Sequence, residues 1–131
     1  MLNTIQDAIS SRFKTTDLGT ASWILSIRAH HDIAAGTLFI DQSQYLKTVL
    51  SRFGMSDCTP VAIPLPASKN FTPASSSEHA SVSCYPYLEV IGSLTYATMG
   101  TRPDICAAVC TLSPFAATFG PVHVDGLKHI M

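Results

Sequence analysis

Residues 51–66, SRFGMSDCTPVAIPLP, contain the sharpest change of local pattern in the chain. A helical apolar pattern stops at Gly54, and a stretch with Pro60, Pro64 and Pro66 follows. Glycine readily adopts the left-handed conformation that ends many helices. Each proline fixes its own φ and disfavours helix at the residue before it. The stretch therefore predicts a glycine-capped helix end followed by an extended strap.

Upstream of this strap, the pattern predicts two helices with a β-hairpin between them. Residues 2–13 have apolar side chains at spacings of three and four, which is typical of an amphipathic helix. Residues 21–30 alternate as one strand, and residues 37–41 form a second strand, with Gly36 near the turn between them. Ser43 is the predicted cap of the next helix, whose apolar stripe ends at Phe53.

Downstream of the strap, the pattern predicts a linker and then more helices. Residues 66–83 are rich in Ser, Ala and Pro without periodicity, which indicates a mobile linker. Pro86 suits the first turn of a helix that Gly100 terminates, and a further helix starts at Pro103 and stops near Ser113, before Pro114. The last residues resemble the first turns of a helix, so we expect a fragment. The predicted fold class is α+β.

Composition limits the function classes. The chain has 131 residues, 47% of them hydrophobic, which suits one folded domain. A net charge of −1 gives no basic field, so composition alone argues mildly against nucleic-acid binding. The sequence has no apolar run of roughly 20 residues and no signal-peptide pattern. We therefore expect an intracellular location, cytoplasmic or nuclear, without membrane association.

The cysteines and histidines do not predict a metal site. The four cysteines form no CxxC pair, and Cys106 and Cys110 are one helical turn apart. Their spacing would permit joint ligation, but we interpret them as small buried apolar side chains. His30 and His31 are adjacent on a strand or turn, where neighbouring side chains face opposite sides. No metal ligands are predicted.

The order of motifs along the chain resembles one known family. The motifs are Asp17-Leu18-Gly19, WILSI at 23–27, IDQSQYL at 40–46, RFGMxDCxPVxxPL at 52–65, PYxExIGSLxY at 86–96 and TRPDI at 101–105. In this order and spacing they are similar to the reverse transcriptase (RNA-directed DNA polymerase) of copia-type LTR retrotransposon polyproteins. The resemblance extends from residue 2 to about residue 130.

The resemblance implies a division into parts of that polymerase. Residues 1–42 correspond to the end of the palm subdomain, with a helix and a β-hairpin. Residues 43–65 correspond to the first thumb-side helix and the proline strap, and 66–83 to a flexible linker. Residues 84–120 correspond to thumb-like helices, and 121–131 to the truncated start of a connection helix toward RNase H. The implied partners are an RNA–DNA or DNA duplex and the missing palm and RNase H parts of the polyprotein.

The resemblance also implies that the catalytic aspartates lie upstream of residue 1. Two-metal nucleotidyl transfer needs paired carboxylates, whereas Asp7, Asp17 and Asp32 fall on separate predicted elements and match no catalytic position. We therefore expect no catalytic residue, no metal ligand and no cofactor in this fragment, which is predicted to be inactive alone. In the complete polymerase the cofactor is Mg²⁺.

Seven residues are candidates for nucleic-acid contact through the resemblance. Trp23 and Ser26 match the primer grip, where Ser26 replaces the family's usual glycine. The helix with Gly92, Ser93 and Tyr96 is similar to the thumb helix that lies in the minor groove. Further candidate phosphate contacts are Lys47 and Arg102. Five of them have a plainer interpretation: a hairpin aromatic for Trp23, core packing for Gly92 and Tyr96, solvated charge for Lys47, and pairing with Asp104 for Arg102.

Three hypotheses about function follow. The first is a non-catalytic remnant whose ancestral role is to grip the primer–template duplex. The second is a domesticated module that binds nucleic acid or protein, and the third is a mis-predicted piece of a longer active polyprotein. Departures from the family pattern toward the carboxyl end, at Pro114, Val124, Gly126 and His129, favour a decayed copy.

Overall fold

The fold is α+β, as the sequence predicts. The computed structural model describes residues 2–16, 18–66 and 69–131; Asp17 of the predicted turn and residues 67 and 68 of the predicted linker lie outside them. The amino-terminal part contains helix α1 (Leu2–Ser10) and strands β1 (Trp23–Ile24), β2 (Ile27–Asp32) and β3 (Thr37–Asp41). The rest is helical, with α2 (Ser43–Arg52), α3 (Ser76–Val82), α4 (Tyr87–Gly100), α5 (Cys106–Leu112) and α6 (Pro121–Ile130). Short 3₁₀ turns occupy Pro103–Ile105 and Ser113–Ala117.

The strands form one antiparallel sheet in the order β1-β2-β3. The predicted hairpin turn at Gly36 is confirmed, since Asp32 pairs with Thr37 and Gly36 has a φ of 64°. The single strand predicted over residues 21–30 is wrong, because a tight turn at Leu25 and Ser26 divides it. Both turn residues have positive φ, 50° and 64°. This turn was missed because it carries none of the Gly or Asn residues that usually mark one.

Replacing Ser26 with glycine is expected to stabilise the β1–β2 hairpin by about 1 kcal/mol. An L-residue in the left-handed region is strained by about 1–2 kcal/mol, and glycine is not. Trp23 is the single tryptophan of the chain and lies in this hairpin, so its fluorescence during urea titration measures the effect. Ser22→Gly is the matched control and should lower stability, because Ser22 lies outside the positive-φ turn. A lower urea midpoint for Ser26→Gly would contradict the prediction.

Helix α2 begins differently from the prediction. Gln42, not Ser43, occupies the N-cap position, and no side chain caps the helix there. The carboxylate of Asp41 instead accepts a hydrogen bond from the Ser43 backbone N–H at 3.0 Å, and this bond is the main reason that the pKa of Asp41 is lowered. Gln42 is itself buried and accepts a hydrogen bond from the Thr101 hydroxyl at 3.0 Å. Gln42 therefore joins the end of the sheet to the end of α4.

The prediction that Gly54 caps the end of α2 is confirmed. Gly54 has a φ of 69°. The Met55 N–H donates to the Leu50 carbonyl at 2.8 Å, and the Gly54 N–H donates to the Ser51 carbonyl at 3.2 Å. This pair of bonds is the Schellman motif, which satisfies the last carbonyls of the helix. The proline strap begins beyond it.

The described part of residues 66–83 is not the structureless linker that composition indicates. It contains α3, which begins with a capping box in which Ser75 and Glu78 satisfy each other's backbone N–H groups. The Ala74 N–H donates to the Thr118 carbonyl at 2.9 Å, and His79 Nδ1 lies 2.8 Å from the Phe119 carbonyl. These contacts join residues far apart in the sequence and leave no periodic pattern. The composition of the segment therefore gave the wrong prediction of a linker.

The hydrophobic core lies between α4, α5 and α6. The Tyr87 ring stacks on Phe119 at 4.5 Å, and its hydroxyl donates to the Leu112 carbonyl at 2.8 Å. Burial raises the pKa of Tyr87 to about 12, so the hydroxyl remains a donor. As predicted, α4 ends at Gly100 and α5 stops before Pro114. Pro86 occupies the N-cap of α4 rather than its first helical position. The most buried core side chains are Tyr87, Val90, Ala97, Leu112 and Leu127.

The cysteine prediction is wrong. Cys84, Cys106 and Cys110 are exposed and Cys58 is partly buried, all as free thiols. Helix α5 turns Ala108, Val109 and Leu112 to the core. At 100° per residue, Cys106 and Cys110 fall outside that arc. The spacing of four does place Cys106 and Cys110 on a shared face of α5, but that face is exposed and not buried.

We expect stability to fall between pH 7 and pH 5 because of His123. This side chain is buried between the Phe71 and Phe115 rings, and Nδ1 accepts a hydrogen bond from the Gly120 N–H at 3.0 Å. Burial lowers its pKa below the ordinary 6.5, although Glu78 opposes the shift. The folded state thus binds fewer protons than the unfolded state does. The free energy of unfolding is therefore highest above pH 6.5 and declines below it by up to about 1.4 kcal/mol per pH unit.

Urea midpoints between pH 7.5 and pH 5 test this pH dependence. His123→Phe is the matched variant and should flatten the profile in that range. The carboxylates with lowered pKa, Asp41, Glu78 and Asp104, titrate below their ordinary values near 4, outside the window. An unchanged slope in His123→Phe would contradict the assignment.

Candidate nucleic-acid interface

Helix α4 has one buried and one accessible face. Tyr87, Val90, Ile91, Leu94 and Ala97 are buried. Leu88 and Gly92 are exposed on the other side, with Ser93 and Tyr96 partly exposed. A Cβ on Gly92 would meet no atom within 4 Å. The three α4 residues that the sequence singled out therefore lie on an accessible face.

The β1–β2 turn docks on this face of α4. The Tyr96 hydroxyl donates a hydrogen bond to the Leu25 carbonyl within the turn. Tyr45 of α2 contacts the Tyr96 ring edge-on at 5.0 Å, and its hydroxyl donates to the Ser93 carbonyl at 3.1 Å. The turn, α2 and α4 thus meet around two tyrosines. Tyr96 packs there and not in the hydrophobic core between α4, α5 and α6, where the plainer interpretation placed it.

A shallow cavity of 350 Å³ opens beside these tyrosines. Its lining residues are Trp23, Ser26, Gln44, Tyr45 and Thr48. Trp23 is 52% exposed, and the Arg28 guanidinium lies over its ring at 5.8 Å. An exposed indole with an adjacent positive charge can stack on a nucleobase or pack on a sugar while Arg28 attracts a phosphate.

Positive charge continues along α2 next to this cavity. A groove of 420 Å³ is lined by Gln44, Lys47, Thr48, Ser51 and Arg52. Gln44 and Thr48 line both the groove and the cavity, so the two are contiguous. Lys47 and Arg52 are exposed and can contact phosphate without reading sequence.

Arg102 lies apart from the other six candidates. It follows the carboxyl end of α4, about 12 Å of helix beyond Gly92. Its guanidinium makes a two-pronged pair with Asp104, Nε to Oδ1 at 2.9 Å and Nη2 to Oδ2 at 2.7 Å. This pair raises the pKa of Arg102 and lowers the pKa of Asp104. The plainer interpretation, pairing with Asp104, is what the structure shows.

Sequence reasoning missed several contributors to this surface, among them Arg28, Gln44, Tyr45 and Thr48. Arg28 faces Trp23 only because the turn at Leu25 and Ser26 pairs the two residues. Tyr45 was assigned to an apolar stripe, which does not distinguish a core residue from the rim of a cavity. The sequence held no signal for Arg28, because the turn at Leu25 and Ser26 lacks the Gly or Asn that usually marks one.

Two classes of site are not found in the part of the chain that the structure describes. Residues 2–16, 18–66 and 69–131 hold no group of three His, Cys, Asp or Glu side chains that could bind a metal ion. None of the described helices is long and apolar enough to cross a membrane.

Comparison with curated proteins gives the relatives of this sequence. It is 35% identical over 127 residues to the retrovirus-related Pol polyprotein from transposon TNT 1-94 of Nicotiana tabacum, an alignment that covers 94% of this chain. It is 30% identical, over its whole length, to the retrovirus-related Pol polyprotein from transposon RE1 of Arabidopsis thaliana. Both of these relatives are transposon Pol polyproteins. An uncharacterized mitochondrial protein of Arabidopsis thaliana is 34% identical over 83% of the chain.

The chain spans only a small part of those Pol polyproteins. The alignments cover 10% of the TNT 1-94 polyprotein, 9% of the RE1 polyprotein and 43% of the mitochondrial protein. No family model matches the sequence, and no solved structure gives a significant match. The chain is thus homologous to one segment of a retrotransposon Pol polyprotein.

Proposed function

We propose that this segment belongs to the reverse transcriptase of a copia-type polyprotein and contacts the primer–template duplex there. The observation that carries the proposal is the docking of the β1–β2 turn on α4 through Tyr96 and Leu25. It brings the turn that contains Ser26 next to Tyr96 of α4, and the cavity lined by Trp23 and Ser26 is contiguous with the groove lined by Lys47. Residues 1–42 are then the end of the palm, and 43–65 and 84–120 belong to the thumb.

The proposed contacts are of the kind that read shape rather than sequence. The exposed Trp23 ring packs against a sugar or a terminal base, and Lys47 and Arg52 pair with phosphates. The bare surface at Gly92 allows a nucleic-acid backbone to approach α4 closely. No described residue is assigned to chemistry. Mg²⁺ and the carboxylates that hold it belong, in this proposal, to polyprotein segments outside the chain.

Helix α1 supports the proposed partnership with the remaining polyprotein. Ile5 and Ile9 lie on the stripe that the sequence predicts, and Phe13 follows the helix, which ends at Ser10 and not at residue 13. All three side chains are exposed. An apolar stripe of this kind normally packs against another element. We propose that the missing palm covers α1, and that α6 leads toward the RNase H part.

Binding of a fluorescently labelled RNA–DNA hybrid to the full chain tests the proposal. Anisotropy at low salt should show binding, and Trp23→Ala should weaken it about fivefold or more, since a stacking contact contributes about 1–3 kcal/mol. Ile33→Ala is the matched control, because Ile33 is an exposed apolar residue in the loop at the other end of β2. Lys47→Ala should reduce the slope of log affinity against log salt by about one.

Two outcomes would overturn the proposal. One is no detectable binding at low salt, where phosphate contacts are strongest. The other is equal affinity of the Trp23→Ala and Ile33→Ala variants, because binding would then not involve the surface around the β1–β2 turn.

A further inference from the structure

Cys106 and Cys110 form a pair of exposed thiols on α5. Both are free, and Cys106 has helical backbone angles, φ −56° and ψ −49°. Side chains four residues apart on a helix are neighbours on one face. The Cys106 and Cys110 thiols are in hydrogen-bond contact, and this contact is the main reason that the pKa of Cys110 is raised. The two sulfur atoms are therefore close enough to act together.

The opposite side of α5 holds this pair in place. Ala108, Val109 and Leu112 are buried in the core between α4, α5 and α6. The 3₁₀ turn that leads into α5 is anchored by Ile105, which is also buried. The backbone that carries the two thiols is thus already fixed, so a ligand that binds both of them pays little to order the site.

The helical spacing disfavours a disulfide between the two thiols but allows one ion between them. Cβ atoms four residues apart on a helix are separated by about 5–6 Å, whereas a disulfide needs about 3.5–4.5 Å. An ion lengthens the bridge, because a metal–sulfur bond is about 2.3 Å long and two of them span up to about 4.6 Å. The pair therefore remains a dithiol that can chelate a single ion.

The number of ligands selects the ion. In the part of the chain that the structure describes, no third His, Cys, Asp or Glu side chain completes a metal-binding group. Structural zinc sites take four ligands and iron–sulfur clusters take four cysteines. Magnesium and calcium need oxygen ligands. Cu(I) is the remaining soft ion that thiolates select, and two thiolates satisfy it.

We propose that Cys106 and Cys110 chelate one Cu(I) ion. Each thiol releases its proton to solvent as its sulfur atom binds the ion, so the complex carries a single negative charge and no electron is transferred. Neither cysteine lines the cavity or the groove of the candidate nucleic-acid interface. The site is therefore independent of the proposed contact with a primer–template duplex.

Competition with a coloured Cu(I) chelator, without oxygen and with a non-thiol reductant, tests the site in the full chain. Wild type should withdraw one Cu(I) per chain. Cys106→Ser and Cys110→Ser should each weaken binding by at least about 100-fold, because the second thiolate then no longer comes from the same helix. Cys84→Ser is the matched control and should bind like wild type, since Cys84 is an exposed free thiol outside α5.

Moving one thiol by a single position separates chelation from thiol content. The double variant Cys110→Ser, Thr111→Cys keeps two thiols at exposed positions of α5 but turns the second by about 100° around the helix. It should bind Cu(I) as weakly as Cys110→Ser. Zn²⁺ should bind wild type at least about 100-fold more weakly than Cu(I), because two thiolates leave half of its tetrahedral coordination unfilled.

Four results would each overturn the proposal. They are a wild-type chain that takes no Cu(I) from the chelator, undiminished affinity in Cys106→Ser, undiminished affinity in the variant with the moved thiol, and Zn²⁺ binding as tight as that of Cu(I). Because both cysteines are exposed, the far-ultraviolet circular dichroism spectra of the serine variants should match that of wild type.

Discussion

Replacing Leu112 with alanine is expected to lower the free energy of unfolding by about 2–5 kcal/mol. Leu112 is 0% exposed and ends α5 against α4 and α6. Truncation removes its buried apolar surface and leaves a cavity that the surrounding helices fill only in part. Because small domains are stable by only about 5–15 kcal/mol, this single change should bring the chain close to unfolding. Urea titration followed by far-ultraviolet circular dichroism measures the loss.

Leu88→Ala is the matched control for Leu112→Ala. Leu88 lies on α4 and is 66% exposed, so its truncation should change stability by no more than about 0.5 kcal/mol. Equal urea midpoints of the two variants would show that the core between α4, α5 and α6 is wrongly placed.

Gly120→Ala is expected to destabilise the chain by about 1–3 kcal/mol and to release the segment before α3. A Cβ at residue 120 would lie 2.7 Å from the Ala74 Cβ, and a methyl group on the main chain cannot rotate away. Ala74 is held there by its N–H bond to the Thr118 carbonyl. The two segments must therefore separate. Limited proteolysis should then cut residues 69–83 faster, and the urea midpoint should fall.

Gly92→Ala provides a control of opposite sign. No atom lies within 4 Å of a Cβ at Gly92, and the residue is in the interior of α4. Alanine is a better helix former, so we expect stability to rise by about 0.5–1 kcal/mol. If Gly120→Ala also raised stability, the close contact with Ala74 would be refuted.

The predictions that the structure confirms concern local chemistry. Gly54 ends α2 because a glycine takes the left-handed conformation without a steric penalty, and it does so whatever the rest of the chain packs against. Pro114 stops α5, and Gly36 forms the β2–β3 turn, for similarly local reasons. The order of motifs pointed to retrotransposon polyproteins, and the comparisons agree at the level of the Pol polyprotein.

The failures concern residues whose state depends on distant partners. Residues 69–83 are held by hydrogen bonds to the backbone carbonyls of Thr118 and Phe119. The Phe71 ring also packs close to Gly126, where an added Cβ would lie 3.2 Å from it. The exposure of Cys106 and Cys110 depends on the direction from which α4 and α6 cover α5. Neither arrangement has a periodic signature along the chain.

By itself, the sequence determined where α2, α4 and α5 end, the turn at Gly36, the α+β class and the similarity to transposon polyproteins. Those properties depend on residues within a few positions of each other, or on the order of motifs. Only the tertiary structure decided that the Leu25–Ser26 turn docks on Tyr96 and which side of α5 is buried. Each of these depends on long-range packing and hydrogen bonding, whose free energies arise only when segments far apart in sequence come together.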